Sequence, residues 1–197
     1  MRIGIDFDNT IVCYDALFHK VARERDLVPG DLPVSKIAVR DFLRRTGRED
    51  TWTELQGYVY GARMTEAEPY PGAPDFLGWA RQRGHDVFII GHRSKRPFLG
   101  PPYDLHTAAR RWVRERIGSL LGDEVCFFEP AREEKLERVA ALGCDYFVDD
   151  LPEILWSERF PAGTRRVLFD PNGLHESDTR CPRFSSWPSI RSFLETP

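Results

Sequence analysis

With 197 residues, 41% of them hydrophobic and 30% charged, the chain can bury a substantial core and has the make-up of one globular domain, or of one domain with an inserted lid. Acidic residues outnumber basic ones only 31 to 28, and the net charge of -3 is spread through interspersed signs, which excludes a bulk electrostatic case for a nucleic acid polymer or an anionic membrane. Cys13, Cys126, Cys144 and Cys181 form no CxxC pair, no apolar run reaches membrane-spanning length, and a strand begins directly behind Arg2, so the expectation is a cytoplasmic protein with reduced thiols and no signal peptide.

The first predicted element is a strand in which Ile3, Ile5 and Phe7 alternate at period two, and Asn9-Thr10 then opens a turn. From Tyr14 to Tyr70 the pattern is helical. Leu17, Val21 and Ala22 recur at helix spacing, Ser35 caps a run of Ile37, Val39, Phe42 and Leu43 that Gly47 closes, and Trp52, Leu55, Tyr58 and Val59 mark a third helix. Pro69 and Pro71-Gly72 return the chain to strand-helix alternation. A helix from Pro74 to Arg83 precedes the apolar run Val87 to Ile90, one from Thr107 to Ile117 precedes a strand at Val125 to Phe128, and one from Glu133 to Leu142 precedes Tyr146 to Val148. Arg166 to Phe169 supplies a fifth strand, and Ile190, Phe193 and Leu194 a short closing helix.

This order predicts an α/β fold, a doubly wound, Rossmann-like parallel sheet of about five strands with an inserted helical cap. Residues 1–13 and 71–197 are assigned to the core and 14–70 to the insertion. Ligands of such sheets bind at the carboxyl ends of the strands, an edge that takes in Asp6, Asp8, Gly91, Asp149, Asp150 and Asp170. Close carboxylates at strand ends repel unless a cation or a substrate takes up their charge, and an all-oxygen donor set favours Mg²⁺ over zinc or copper. Plainer readings stand beside this one. Asp8-Asn9 would cap a turn, Asp149 a helix beside Pro152; Lys135 would be an exposed lysine next to Glu133 and Glu134, and His92, Arg93 and Ser94 ordinary loop residues.

Asp6-Phe7-Asp8-Asn9-Thr10 matches the motif DxDx[TV], Asp149-Asp150 matches a closing acidic motif, and Lys135 stands where an intervening basic residue belongs. In this combination the chain resembles the haloacid dehalogenase-like (HAD) superfamily over nearly its whole length. Thr107 to Val113 adds a looser resemblance to the 5′(3′)-deoxyribonucleotidase-like branch. One departure stands out: Ile89-Ile90 is followed by Gly91-His92-Arg93-Ser94, where the family's second motif usually ends in Thr or Ser.

The resemblance implies a Mg²⁺-dependent phosphomonoesterase that hydrolyses a small phosphorylated metabolite through an aspartyl-phosphate. Asp6 would be the nucleophile, Asp8 the general acid and base, and Lys135 the cation that stabilises phosphoryl charge. The metal would be held by the carboxylates of Asp6 and Asp149 and the backbone carbonyl of Asp8, with Asp150 binding directly or through water. Thr10, Gly91, His92, Arg93 and Ser94 are the phosphate and substrate candidates, Gly91 by letting the backbone come close to the phosphate. The insertion lies where the family carries a C1-type cap, and Tyr14, Phe18, His19, Tyr58, Tyr60 and Arg63 are read as its packing or specificity residues. Two other readings remain open: a 5′-nucleotidase or phosphotransferase of the same superfamily, and a non-catalytic HAD-like module that binds a phosphorylated ligand or a protein. The oligomeric state is not set by the sequence.

Overall fold

The computed structural model describes residues 1–121 and 125–196. In chain order the elements are β1 (Arg2–Ile5), β2 (Val12–Cys13), α1 (Asp15–Glu24), α2 (Lys36–Arg45), α3 (Glu49–Gly61), β3 (Glu68–Pro69), α4 (Ala73–Gln82) and β4 (Asp86–His92). There follow α5 (Leu105–Arg116), β5 (Cys126–Glu129), α6 (Arg132–Ala141), β6 (Tyr146–Asp149), α7 (Pro152–Leu155), β7 (Arg165–Phe169), β8 (Arg183–Phe184) and α8 (Trp187–Glu195). Two compact units result, one of Met1–Val12, Pro69–Arg93 and Ile117–Pro197, the other of Cys13–Glu68 and Ser94–Arg116. No helix among the described residues is long and apolar enough to cross a membrane.

The first unit carries a parallel sheet in the order β5-β4-β1-β6-β7-β8. Its sixth strand exceeds the expected five because β8 has only Arg183 and Phe184, too short to leave an apolar run in the sequence. Register decides what the sheet presents at its edge. Ile5 of β1 pairs with Ile89 of β4 on one side and Val148 of β6 on the other, so Asp6 and Asp149 emerge at the same level of the sheet. The Asp6 N–H continues the ladder, donating to the Val148 carbonyl at 2.8 Å.

Alternation sorts the side chains between two faces. One face buries Ile90, Phe147 and Leu168 against Leu136 and Val139 of α6 and Ile154 and Leu155 of α7. Gly4 belongs to this face, since a Cβ there would lie 2.8 Å from the Phe147 ring. Asp6, two residues on, therefore points to the side that α6 covers. Helices α4 and α8 pack elsewhere in the unit, where Phe76 meets Trp187 at 4.8 Å and Trp187 meets Phe169 at 5.5 Å between ring centroids.

The second unit is helical. Leu17, Phe18, Val21 and Ala22 of α1, Val39 and Leu43 of α2, and Trp52, Leu55 and Val59 of α3 are its buried stripes. Ser35 caps α2 as its sequence predicts, accepting from the N–H groups of Ile37 and Ala38 at 3.2 and 3.3 Å. The division shifts the expected boundaries by one residue at Cys13 and two at Pro69 and Tyr70, and departs from them by a whole segment at Ser94–Arg116, which groups with α1 to α3. Trp112 of α5 donates its indole N–H to the Ala67 carbonyl at 2.8 Å, and Arg116 donates to the Thr65 carbonyl at 2.7 Å. At Gly61 of α3 a Cβ would lie 2.4 Å from that of Tyr103, so the segment leading into α5 lies directly on that helix. A linear reading of strand-helix alternation carries no information about which side chains a crossover helix will meet.

Candidate functional site

Lys135 is fully buried on α6, an arrangement that costs several kcal/mol unless the charge is matched. Its ammonium donates to Asp6 Oδ1 and to Asp149 Oδ2, both at 2.6 Å. Burial works to lower the lysine's pKa, but the charges of Asp149 and Asp6 outweigh it and hold the group above the usual lysine range. Burial likewise pushes the Asp149 carboxyl up, against the pull of Lys135. Lys135 is thus neither exposed nor a solvated helix-start lysine.

Asp6, Asp149 and Asp150 each offer a carboxylate oxygen, and the three atoms lie within 4.8 Å of one another. Three carboxylates against one ammonium leave two negative charges at this edge. Oxygen donors with that residual charge suit a hard divalent cation. Asp149 does two things at once, for its Oδ1 also accepts the Leu151 N–H at 2.9 Å just ahead of α7, although the first N–H groups of that helix receive no side-chain cap.

Asn9 adopts a left-handed conformation with φ of 60°, which Asn tolerates better than most residues. The turn that follows folds Val12 N–H back to the Phe7 carbonyl at 3.0 Å. Across from it the buried Arg93 guanidinium donates to Asp8 Oδ1 and lies 5.2 Å over the Phe7 ring, while its backbone N–H is anchored to the Glu129 carbonyl at 2.7 Å. Arg93, a phosphate candidate by sequence, is here the partner of Asp8. His92 is half-buried, and burial, reinforced by the charge of Lys135, holds its imidazole below the usual histidine range. Asp6 and Asp8 act on it in the opposite sense.

At Gly91 the absence of a side chain has a packing reason. A Cβ at this position would meet Phe7 Cβ at 3.1 Å and Phe128 Cδ1 at 3.4 Å, and Phe7 and Phe128 themselves stack edge to face at 5.0 Å. The missing side chain therefore makes room for two phenylalanines. By the same alternation, His92 is the residue of this segment on the Asp6 side.

Ser94 falls in the helical unit and donates its hydroxyl to the Arg96 carbonyl at 2.8 Å. Thr10 is fully buried and gives its hydroxyl to Asp150 Oδ1 at 3.3 Å. Asp170, at the end of β7, builds its own loop by accepting the N–H groups of Leu174 and His175 at 2.8 and 3.0 Å. Trp187 escaped the sequence reading altogether. Its indole N–H donates to the Thr10 carbonyl at 3.1 Å across a separation of 177 residues, and no local signal announces such a contact.

No family model matches the chain. A Bacillus cereus protein named "Putative nucleotidase" is 21% identical over 201 residues, covering 99% of this chain and 98% of its own. Among solved structures, a haloacid dehalogenase-like family hydrolase from Streptococcus pneumoniae superposes with a TM-score of 0.63 at 11% identity, over 98% of both chains. A HAD family hydrolase from Deinococcus radiodurans, with bound phosphate and sodium, gives 0.62 at 17% identity, over 98% of this chain and 94% of its own. Sheet order, acidic edge and these superpositions agree: the chain has the fold of the haloacid dehalogenase-like hydrolases.

Proposed function

We propose that the protein is a Mg²⁺-dependent phosphomonoesterase that acts on a small phosphorylated metabolite through an aspartyl-phosphate on Asp6. One observation carries the reading: a buried ammonium, Lys135, sits 2.6 Å from both Asp6 and Asp149 at the carboxyl edge of the sheet. Asp6 is thereby fixed with one oxygen engaged, ready to attack phosphorus with the other. Lys135 compensates the charge that develops on the phosphoryl oxygens. Asp8, two residues on and held by Arg93, donates a proton to the leaving oxygen and recovers one from the water that attacks the aspartyl-phosphate. His92 takes the phosphate-facing place that Gly91 leaves without a hydroxyl, donating a ring N–H as a neutral imidazole. Asp6, Asp149 and Asp150 would hold Mg²⁺ together with the Asp8 backbone carbonyl, and the ion would supply positive charge that lets an anionic nucleophile approach an anionic phosphate.

Among phosphomonoesters, nucleoside monophosphates are the favoured class, because the Bacillus cereus relative that matches end to end is named a nucleotidase. The helical unit, Cys13–Glu68 with Ser94–Arg116, is assigned the part of a C1-type cap that selects the leaving group. Phosphate release from a panel of nucleotides, sugar phosphates and polyol phosphates, with and without chelator, tests the whole reading. Mg²⁺-dependent turnover of at least one class is expected. Absence of turnover across the panel with Mg²⁺ present would overturn it in favour of a phospho-ligand binding module.

A further inference from the structure

We propose that Thr10 and Trp187 are positioning residues that hold Asp150 in place within the acidic cluster. The inference rests on the reading that this cluster binds Mg²⁺. Asp6 and Asp149 are each fixed by the Lys135 ammonium, and Asp149 also by the Leu151 N–H. Asp150 is more exposed than either, and the Thr10 hydroxyl is among the groups that engage it, reaching its Oδ1 at 3.3 Å. The Thr10 backbone is itself held. The residue is fully buried, its carbonyl accepts the Trp187 indole N–H at 3.1 Å, and the carbonyl of its neighbour Ile11 accepts the Tyr70 N–H at 2.8 Å.

Trp187 is in turn locked by its rings. It lies between Phe76 at 4.8 Å and Phe169 at 5.5 Å, and Phe169 is backed by Tyr70 at 5.0 Å. A chain of fixed contacts therefore runs from the start of α8 through the turn after β1 to the third carboxylate. The motif DxDx[TV] admits valine at this position, so the hydroxyl is not a requirement of the motif. In this chain it does a separate job, and outer contacts that orient metal ligands are commonly worth about 10- to 100-fold in metal affinity. A separation of 3.3 Å is long for a hydroxyl on a carboxylate, which places the expected effect at the lower end of that range.

Calorimetric titration of Mg²⁺ alone into the substrate-free full-length protein tests the proposal, with thermal melting to verify folding. Thr10→Val, which keeps the shape and removes the donor, is expected to weaken Mg²⁺ binding by about tenfold. Thr10→Ser should bind within about twofold of wild type, and Trp187→Phe, which keeps a ring but loses the N–H, should show a smaller loss in the same direction. In turnover, the weakening should appear in the Mg²⁺ concentration required rather than in the KM for phosphate ester. A Thr10→Val protein that titrates like wild type overturns the inference; should that variant not fold, a wild-type titration of Trp187→Phe does so. If instead Asp150→Asn titrates like wild type, or wild type takes up no Mg²⁺, the metal reading itself fails and the positioning chain with it.

Discussion

Lys135 in the sheet unit and Arg63 in the helical unit each bridge two carboxylates, yet the acids that Lys135 meets are buried and those that Arg63 meets reach water. Lys135 is fully enclosed with Asp6 and Asp149. Arg63 binds Glu24 at 2.7 Å and also Glu66, whose second cation is Lys20 at 2.8 Å; the two acids keep 41% and 37% of their side chains exposed and Lys20 56%. Water solvates one cluster and is excluded from the other. An exposed pair contributes about 0–1 kcal/mol, whereas removing one partner of a buried pair costs about 3–5 kcal/mol because the survivor is left uncompensated. Hydrophobic residues of the same volume would fill the buried place as stably, so the charges retained there are best explained by chemistry, while those around Arg63 need no such reason.

The comparison breaks first at Asp6. Asp6→Asn should reduce phosphate release by roughly three orders of magnitude or more, since it removes the nucleophile and leaves the ammonium a neutral oxygen to bind. Melting should change far less than turnover. Wild-type-like hydrolysis by Asp6→Asn would show that the buried triad is structural after all, and that the contrast with Arg63 concerns burial only.

Lys135→Met probes the same triad through stability. Methionine matches the aliphatic stem but leaves Asp6 and Asp149 facing each other in a buried place, so metal-free protein should lose about 3–5 kcal/mol in denaturant titration. Added Mg²⁺ should restore part of that loss by neutralising the same carboxylates. A variant as stable as wild type without metal would mean that the carboxylates relax to water, and that the enclosure described here is not maintained in solution.

Much of this site was legible from the chain alone because strand ends are legible. Asp6 and Asp149 follow apolar runs, and once both runs are assigned to one parallel sheet, the convergence of their carboxylates follows from topology. Burial of Lys135 was not legible, since Glu133 and Glu134 made its surroundings look solvated and helical phase alone does not tell which face meets a sheet. The partners of Arg93 and Thr10 were equally hidden: both contacts join residues at least 85 positions apart, where sequence pattern is silent. Gly91 shows a different limit, for a glycine's purpose lies in what its absent side chain would strike.

At Gly91 a side chain is expected to act on packing. In Gly91→Thr the new Cβ lies 3.1 Å from that of Phe7, which is backbone-proximal and can give way only by shifting the residues that carry Asp6 and Asp8. Overpacking of this kind costs about 1–3 kcal/mol, so Tm should fall, and activity should not improve. A gain in catalytic efficiency on Gly91→Thr would instead show that the hydroxyl reaches the phosphate and that His92 does not stand in for it.

The smallest effect belongs to Arg63. Arg63→Ala should lower stability by about 1 kcal/mol or less, because Glu24 and Glu66 are returned to water that already reaches them, and the gap should shrink further at high salt. Its pH dependence has a definite sign. Hydrogen bonds from Arg63, then Lys20, lower Glu66 from 4.5 to about 2, so its contribution is present above pH 4.5 and fades as the pH falls toward 2. Melting curves of wild type and Arg63→Ala should therefore converge over that window. Substrate ranking should stay as it is in wild type, since Arg63 is engaged by Glu24, Glu66 and the Tyr58 ring that it overlies at 5.9 Å. A changed ranking with unchanged stability would move Arg63 from scaffold to specificity.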